Sequence, residues 1–328
     1  MIRSWKDLLA YLDRHELPAV PEPSAKTLGN YQMGVTPYTL SLIQQWNETD
    51  PIFRQVIPSD MELTILPEER EDPIGDEAPM QGKRVGPAVI HRYPDRVLLL
   101  TTSLCSVHCR YCFRKRLVGQ PDQAATSTEL AEGIAYIAAK RQIREVILTG
   151  GDPLTLSDRR LLDLLHQLDA IPHIQLLRIH TRLASVNPFR LTAELGQAVR
   201  QLETPVWVVT HFNHVRELTP VAAQWTANWI DQGIPFLNQA VLLQGVNDST
   251  AALEDLFLGL LRQRIKPYYL HQADLVKGTS HLRVPVQRGL DLLKELQGKI
   301  PGHALPHYIL DRPGGAGKIP LQNNYLDP

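Results

Sequence analysis

Cysteine is scarce in this chain of 328 residues: it has three, and all of them lie between positions 105 and 112. An odd, clustered set does not make a disulfide framework and favours a metal site or catalysis in a reducing compartment. A strong charge of one sign is lacking too, because the formal net charge is −1. Nothing electrostatic therefore favours a nucleic acid or an anionic membrane as a partner.

Long apolar runs are also absent, and no stretch approaches the ~20 residues that a membrane-spanning helix needs. The N-terminal stretch MIRSWKDLLAYLDRHEL carries charges throughout, whereas a signal peptide needs an uninterrupted apolar core. A cytoplasmic protein is therefore expected, with no membrane and no nucleic acid among its partners.

From residue 96 onward, short apolar segments of strand character alternate with longer segments in which Leu, Ile and Ala have helical spacing. The predicted strands are 96–103, 145–150, 176–182, 205–212, 235–243 and 266–272. The predicted helices are 127–142, 158–169, 190–202, 216–232, 250–264 and 285–298, with Thr128, Asp158 and Ser249 near three of the starts. This alternation predicts an α/β fold with a parallel sheet. Six units suit a barrel or partial barrel, although a doubly wound open sheet has the same rhythm.

The N-terminal part has a different character. Ser4 and Asp7 resemble a capping box at the start of an amphipathic helix, whose predicted apolar face is Trp5, Leu8, Leu9 and Leu12. The region from about 18 to 88 is rich in proline and acidic residues, and it predicts short helices and loops packed on the main domain.

The cysteines have the spacing C-x3-C-x2-C, at Cys105, Cys109 and Cys112. One interpretation is a structural zinc site with His108 as the fourth ligand. The other is a [4Fe–4S] cluster with three protein thiolates and one iron open to a small molecule. Structural zinc sites usually come as two separated pairs, so the cluster is favoured and no zinc is expected.

C-x3-C-x2-C after the first strand of a βα series resembles the radical S-adenosylmethionine (SAM) superfamily, and Tyr111 before the last cysteine fits that pattern. The resemblance implies a partial (β/α)6 barrel in which the amino and carboxylate groups of SAM bind the fourth iron. Gly150, Gly151 and Asp152 after the second strand resemble the glycine motif that binds SAM. A plain βα turn is the alternative for the glycines.

A glycine-rich segment, PGGAGKIP, spans 313–320. It is not a nucleotide-binding P-loop, because Arg312 replaces the first glycine and Ile319 follows the lysine. A lysine on such a loop could hold pyridoxal 5′-phosphate (PLP) as an imine. The local sequence alone favours an exposed lysine in a flexible tail.

Four segments together resemble the lysine 2,3-aminomutase family: HRYPDRVLLL, CSVHCRYCFRKR, THFNH and DRPGGAGKIP. The resemblance implies that Lys318 is catalytic and carries PLP, and that Arg92, Tyr93 and Arg96 hold its phosphate. Guanidinium groups suit phosphate because they donate two parallel hydrogen bonds.

The same resemblance implies three substrate contacts. Arg114 would bind the substrate carboxylate, although a solvated basic run is the alternative because Lys115 and Arg116 follow it. Asp274 and Asp311 would bind the distal ammonium group of lysine, since a buried ammonium needs carboxylates.

The chain ends ten residues after Lys318 and has no further cysteine. It therefore resembles the short branch of the family, the elongation factor P (R)-β-lysylation (YjeK-type) branch. That branch converts (S)-α-lysine to (R)-β-lysine through a 5′-deoxyadenosyl radical and a PLP aldimine. A ligase related to lysyl-tRNA synthetase attaches the product to elongation factor P. A reductant protein for the cluster and a homo-oligomer are further expectations.

These inferences divide the chain into an N-terminal extension (1–88), a barrel core (89–300) and a C-terminal PLP-lysine segment (301–328). Two alternatives stay open at this point. One is a catabolic lysine or glutamate 2,3-aminomutase, and the other is a non-catalytic, zinc-stapled binding protein. Four histidines near predicted strand ends have no assigned role: His91, His180, His211 and His214.

Overall fold

The computed structural model describes residues 1–75, 84–118, 125–312 and 317–322. A single sheet of ten strands runs through the described residues. Its strands are β1 (Arg84–Val85), β2 (Val89–Tyr93), β3 (Arg96–Thr102), β4 (Glu145–Gly150), β5 (Leu176–His180), β6 (Val206–Thr210), β7 (Phe236–Leu242), β8 (Lys266–Gln272), β9 (His307–Arg312) and β10 (Gly317–Pro320).

Helices connect the parallel strands and precede the sheet. They are α1 (Trp5–Arg14), α2 (Ala25–Asn30), α3 (Pro37–Leu40), α4 (Phe53–Val56), α5 (Ser127–Ala139), α6 (Asp158–Asp169), α7 (Leu183–Val186), α8 (Ala193–Arg200), α9 (Pro220–Ile230), α10 (Thr250–Arg262) and α11 (Val286–Leu296). Among the described residues, no helix combines the length and apolar character that crossing a membrane requires.

The strands are neighbours in chain order, and β3 to β9 are parallel, whereas β1–β2, β2–β3 and β9–β10 are antiparallel. A doubly wound sheet would reverse its strand order at a switch point, which this sheet does not do. The two ends of the sheet meet through side chains, because Arg92 on β2 pairs with Asp311 on β9 at 2.7 Å. The sheet is therefore a nearly closed barrel, and the predicted α/β partial barrel is confirmed.

The barrel is hollow. In β5, Leu177 and Ile179 are fully buried in the core shared with the helices, whereas Arg178 and His180 between them stay partly exposed. The same alternation runs along β7. Since successive strand residues point to opposite faces, the partly exposed set faces the barrel interior. Many barrels fill this space with packed side chains, but here the inward side chains keep part of their surface exposed.

The six predicted strands and six predicted helices between 96 and 298 are confirmed with small changes at their ends. Thr128, Asp158 and Ser249 lie at helix starts as predicted: Ser249 is itself an N-cap, whereas Thr126 and Ser157 are the caps beside the other two. The N-terminal capping box of Ser4 and Asp7 is confirmed.

One predicted core residue is wrong. In α1, Trp5, Leu8 and Leu12 are buried, but Leu9 is 42% exposed. Residues 5, 8 and 12 follow the i, i+3, i+7 spacing of one helix face. Leu9 lies about 100° around the helix from Leu8, because a helix has 3.6 residues per turn, and it faces solvent.

Buried apolar side chains of the N-terminal region belong to the same core as the barrel, and polar contacts also join the two. Gln55 at α4 accepts a hydrogen bond of 2.9 Å from Arg182, which follows β5. The buried Asp50 pairs with Arg216 at 2.8 Å. The N–H of His108 in the cysteine loop donates to the carbonyl oxygen of Gly34 at 2.8 Å. These contacts attach the N-terminal segment to loops at the carboxyl ends of the strands.

Candidate active site

The three cysteines lie on the loop that follows β3, and all three are half-buried. Burial raises the pKa of the Cys105 thiol well above its usual value, and the negative charges of Asp152, Cys112 and Cys109 raise it further. Burial likewise raises the pKa of Cys112 to about 11, with a contribution from Cys109. Thiolates at these positions therefore need a nearby positive charge, which a metal centre supplies.

The basic residues around the cysteines bind the N-terminal region through hydrogen bonds and ion pairs, and they do not form a solvated run. Arg110 is buried and donates to both carboxylate oxygens of Glu62, at 2.9 and 2.6 Å, and Lys115 donates to the same carboxylate. Arg116 donates to the carbonyl oxygen of Glu71 at 2.6 Å. The 3₁₀ turn Asp60–Leu63 thus supplies the Glu62 carboxylate, which pairs with two cations of the loop.

Replacing Glu62 with glutamine is expected to lower the free energy of unfolding by about 3 kcal/mol, because it leaves the buried Arg110 and the half-buried Lys115 without their counter-charge. Urea unfolding, followed by circular dichroism, measures the change. Glu68→Gln is the matched control, since Glu68 pairs with Arg283 at the surface and such pairs contribute at most about 1 kcal/mol. Equal effects of the two substitutions would contradict the anchoring role of Glu62.

Arg114 differs from its neighbours in the loop. It is buried, with its guanidinium 4.6 Å from the ring of Phe113. Its positive charge lowers the pKa of both Cys112 and His180, although burial is the larger influence at each. Arg114 therefore lies between the cysteine loop and the barrel interior, and the alternative of a solvated side chain is wrong.

A second cation reaches the cysteines from β5. Nη1 of Arg182 lies 2.6 Å from Sγ of Cys109, and Nη2 donates to Glu217 and Gln55 at 3.2 and 2.9 Å. The network continues through hydrogen bonds among Tyr111, Asn213 and His211. Sequence reasoning missed Arg182, Glu217 and Gln55 because no local pattern marks their convergence.

The glycines after β4 are required by close backbone packing. A Cβ on Gly151 would overlap the carbonyl oxygen of Leu104, and one on Gly150 would overlap that of Thr102. Gly150 also has a φ of +117°, which L-residues rarely adopt. The N–H of Gly151 donates to the Thr102 carbonyl at 2.5 Å. The glycines therefore let the β4 loop lie directly against the start of the cysteine loop.

Replacing Gly151 with alanine is expected to displace the start of the cysteine loop and to reduce the iron bound after reconstitution by at least half. The reason is that the contacted atoms are backbone atoms, which cannot rotate away. Iron and sulfide analysis of the purified variant measures this. Gly29→Ala is the control, because a Cβ on Gly29 has no neighbour within 4 Å. Full iron content in the Gly151 variant would contradict this interpretation.

Asp152 has a structural role in addition to any contact with SAM. Its buried carboxylate accepts hydrogen bonds from the hydroxyl of Thr181 at 2.8 Å, from the N–H of Arg182 at 2.7 Å and from the N–H of Leu154 at 3.0 Å. Burial raises its pKa to about 6. Asp152 thus holds the end of β5, and SAM binding by its carboxylate stays a prediction.

Lys318 lies where the two ends of the sheet meet. Its Nζ donates to Asp311 at 3.1 Å, and its backbone N–H donates to the hydroxyl of Tyr93 at 3.1 Å. Arg92 pairs with the other Asp311 oxygen at 2.7 Å and donates to the carbonyl oxygen of Arg312. The amine is therefore ordered by a half-buried acid, and the expectation of a lysine in a free tail is wrong. Residues 313–316 of the glycine-rich segment lie outside the described residues.

Of the three predicted phosphate contacts, Arg92 and Tyr93 lie beside Lys318, but Arg96 is placed differently. Arg96 stacks on the Tyr93 ring at 4.9 Å, pairs with Asp95 at 3.0 Å, and keeps 39% of its side chain exposed. Its role at the phosphate stays a prediction. Asp274, predicted for the substrate, is half-buried and directly follows β8.

The unassigned histidines separate into two groups. His180 and His211 line the barrel side of the site, and burial lowers their pKa values strongly, to about 3 for His211. His91 contacts the Tyr136 hydroxyl at 2.7 Å, and His214 caps the turn Val215–Glu217. The second pair is structural.

Two parts of the chain match known family models. Residues 99–256 match the radical SAM superfamily, and residues 293–327 match the family described as lysine-2,3-aminomutase. A Fusobacterium nucleatum protein named L-lysine 2,3-aminomutase is 39% identical over 327 residues, which cover 99% of this chain and 75% of that protein. The chain belongs to the lysine 2,3-aminomutase family.

Other members of the lysine 2,3-aminomutase family differ in the substrate of their names. The L-lysine 2,3-aminomutase of Escherichia coli is 35% identical over 91% of this chain and 85% of its own length. The glutamate 2,3-aminomutase of Clostridioides difficile is 39% identical over 90% of this chain and 69% of its own length. The enzyme class, an isomerase, is common to both, but sequence identity does not decide the substrate.

Radical SAM membership implies a [4Fe–4S] cluster and SAM, and the cysteine loop fits that cluster. It supplies three thiol donors beside two cations, the buried Arg114 and the half-buried Arg182, which suit an anionic thiolate centre. Within the described ranges, no three His, Cys, Asp or Glu side chains converge as ligands of one metal ion. A cluster does not require this convergence, because each cysteine binds a different iron.

The corner around Lys318 fits PLP, which the lysine 2,3-aminomutase name suggests. It offers a primary amine and the neighbouring Arg92 guanidinium. Nε of Arg92 is buried without a hydrogen-bond partner among the described residues. Such a donor has a cost unless a ligand oxygen satisfies it. The residues present therefore suit a phosphorylated aldehyde at this end of the barrel.

Proposed function

We propose that this enzyme converts (S)-α-lysine to (R)-β-lysine, with a [4Fe–4S] cluster, SAM and PLP as cofactors. The observation that carries the proposal is the half-buried Asp311, which bridges Lys318 and Arg92 where the two edges of the sheet meet. It joins a candidate cofactor amine to a carboxylate suited to a cationic substrate. The relatives named L-lysine 2,3-aminomutase support the same activity.

The reaction moves an amino group from Cα to the unactivated Cβ, whose hydrogen is not acidic enough for any side-chain base. The bound cofactors supply a carbon-centred radical and an electron sink for the migrating nitrogen. The protein binds and orients the reactants, and it excludes groups that would quench a radical. The barrel interior, between the cysteine loop and the Lys318 corner, is suited to this task.

Charge favours lysine over glutamate as the substrate. Asp311 faces two cations in this structure, Lys318 and Arg92. A substrate ammonium that replaces the Lys318 ammonium beside Asp311 leaves the local charge unchanged. A second carboxylate in the same position would add an uncompensated negative charge, which is costly when buried. Asp274 is proposed as the second contact for the ammonium group.

The remaining predicted residues have separate roles in this proposal. Arg114 binds the substrate carboxylate from the cysteine side. Gly150 and Gly151 present carbonyl oxygens to the amino group of SAM, since the N–H of Gly151 is engaged with Thr102. Arg92 and Tyr93 hold the phosphate of PLP, with Arg96 stacked behind Tyr93.

A comparison of two amino acids tests the substrate proposal. The enzyme, reconstituted without oxygen and supplied with SAM and a chemical reductant, is given L-lysine or L-glutamate in separate reactions. The expected product is β-lysine from lysine, at a rate at least 100-fold above β-glutamate from glutamate. Asp274→Asn is expected to reduce kcat/KM for lysine without creating activity on glutamate. Faster turnover of glutamate would reject the proposal.

We further propose that the β-lysine modifies elongation factor P through a lysyl-tRNA-synthetase-like ligase, and that a cytoplasmic reductant protein reduces the cluster. The chemical support is that a free β-amino acid is a substrate for an amino-acid-activating ligase. The mass of elongation factor P from cells with and without this gene tests the link. An unchanged mass would favour the catabolic alternative.

A further inference from the structure

Three polar side chains form a row inside the barrel, and the proposed reaction does not use them. His271 on β8 has its Nε2 3.4 Å from Oε1 of Gln239 on β7. Nε2 of the same Gln239 amide lies 3.3 Å from Nδ1 of His180 on β5. All three occupy the partly exposed strand positions that face the hollow interior.

The amide gives this row a direction. An amide NH2 only donates, so Nδ1 of His180 is the acceptor, and a neutral His180 then carries its proton on Nε2. The amide oxygen only accepts, so His271 donates from its own Nε2. Gln239 therefore fixes the tautomers of both imidazoles, and it leaves the Nε2–H of His180 as the free end of the row.

The Nε2–H of His180 is buried and has no acceptor among the described residues. Buried polar atoms are nearly always satisfied, and one that is not usually awaits a water or a ligand. Nε2 belongs to a side chain that faces the chamber, so a ligand in that chamber is the available partner.

The surroundings of His180 determine the chemistry of this ligand. Burial lowers the pKa of the imidazole, and the positive charges of Arg178, Lys318 and Arg114 lower it further. Arg178 is already paired with Glu145 at 2.6 Å, and Lys318 is paired with Asp311. A neutral donor among cations suits an oxygen that carries negative charge.

We propose that the Nε2–H of His180 donates to the α-carboxylate of the amino-acid substrate and, together with Arg114, sets its orientation. The inference rests on the proposed function and adds a binding residue to it. The carboxylate is favoured over the phosphate of PLP because Arg92, with its buried and unpartnered Nε, already offers a donor for the phosphate, whereas Arg114 alone is proposed for the carboxylate. Gln239 and His271 are positioning residues that keep the donor proton on Nε2.

Equilibrium binding tests this assignment without turnover. Calorimetry on the cluster- and PLP-loaded protein, without SAM or reductant, compares two ligand pairs that differ only in the α-carboxylate. The pairs are L-lysine with 1,5-diaminopentane, and L-glutamate with 4-aminobutyrate. The variants are His180→Leu, which removes the donor, and His180→Gln, which retains an N–H. His166→Leu, on the exposed face of α6, is the matched control.

His180→Leu is expected to weaken L-lysine binding by about tenfold or more, as for a lost hydrogen bond to a charged group. Binding of 1,5-diaminopentane is expected to stay unchanged. The His180→Gln variant is expected to bind L-lysine more tightly than the leucine variant but less tightly than the wild-type protein. If the leucine variant fails to fold, the comparison of His180→Gln with the wild-type protein is the test. Equal weakening of both members of a pair, or loss of PLP affinity instead, overturns the assignment. If the wild-type protein binds glutamate and not lysine, the proposed substrate is wrong, and the glutamate pair then tests His180 alone.

Discussion

Cys112→Ala is expected to abolish the [4Fe–4S] cluster and to reduce turnover below detection. The variant leaves two cysteines on the loop, and two thiolates do not hold a cluster whose fourth iron is open to SAM. Iron and sulfide analysis, the brown visible absorption and the electron paramagnetic resonance of the reduced protein measure the loss. The loss of turnover is expected to exceed that caused by replacing any residue that only orients the cluster or the substrate, because this variant removes the source of the radical.

His108→Ala is the control that separates the two interpretations of the cysteine loop. If zinc were bound by three cysteines and His108, this variant would lose its metal. The cluster account expects full iron content, since the ring of His108 packs on Gly34 and is not a ligand. Retained activity in the Cys112 variant, or lost metal in the His108 variant, would contradict the account.

Lys318→Ala is expected to keep the cluster but to lose the covalent attachment of PLP and at least 1,000-fold of the turnover. No other described lysine pairs with Asp311, and the imine bond requires a primary amine at this position. Borohydride reduction followed by peptide mass spectrometry locates the attached cofactor. The wild-type protein is expected to carry it on the peptide that contains Lys318.

Lys299→Ala, at an exposed position after α11, is the matched control and is expected to retain the modified peptide. Asp311→Asn extends the test, since it removes the charge that orders the Lys318 ammonium and frees Arg92. That variant is expected to bind PLP but to bind L-lysine weakly. Unaltered covalent PLP in the Lys318 variant would falsify the assignment.

The parallel part of the barrel was predictable because its strands are short, largely apolar segments that alternate with segments of helical spacing. The antiparallel strands at the two ends of the sheet were harder to predict from the sequence. The segment HRYPDR forms the hairpin between β2 and β3, but its strand β2 has three polar or aromatic residues in five. The last strands, β9 and β10, are short and carry Asp311, Arg312 and Lys318. Their strand structure follows from pairing with a neighbour, which local patterns do not record.

Some residues of the candidate site could be predicted from the sequence and others could not. The cysteines and Lys318 were recognisable because their motifs are local, and the structure brings their predicted neighbours Arg92, Tyr93 and Asp311 together. Glu62 and Arg182 were not recognisable, since their partners are 48 and 73 residues away. Long-range ion pairs of this kind depend on the finished fold, as does the row that ends at His180.

Transfer of deuterium within labelled lysine tests whether this chain moves an amino group by radical chemistry. L-lysine with deuterium at Cβ is incubated with the reconstituted protein, SAM and reductant without oxygen, and the product is analysed by chiral mass spectrometry. The expected product is (R)-β-lysine with deuterium at the carbon next to the carboxylate, and no product is expected without SAM. Unchanged lysine, or β-lysine formed without SAM, would contradict this expectation.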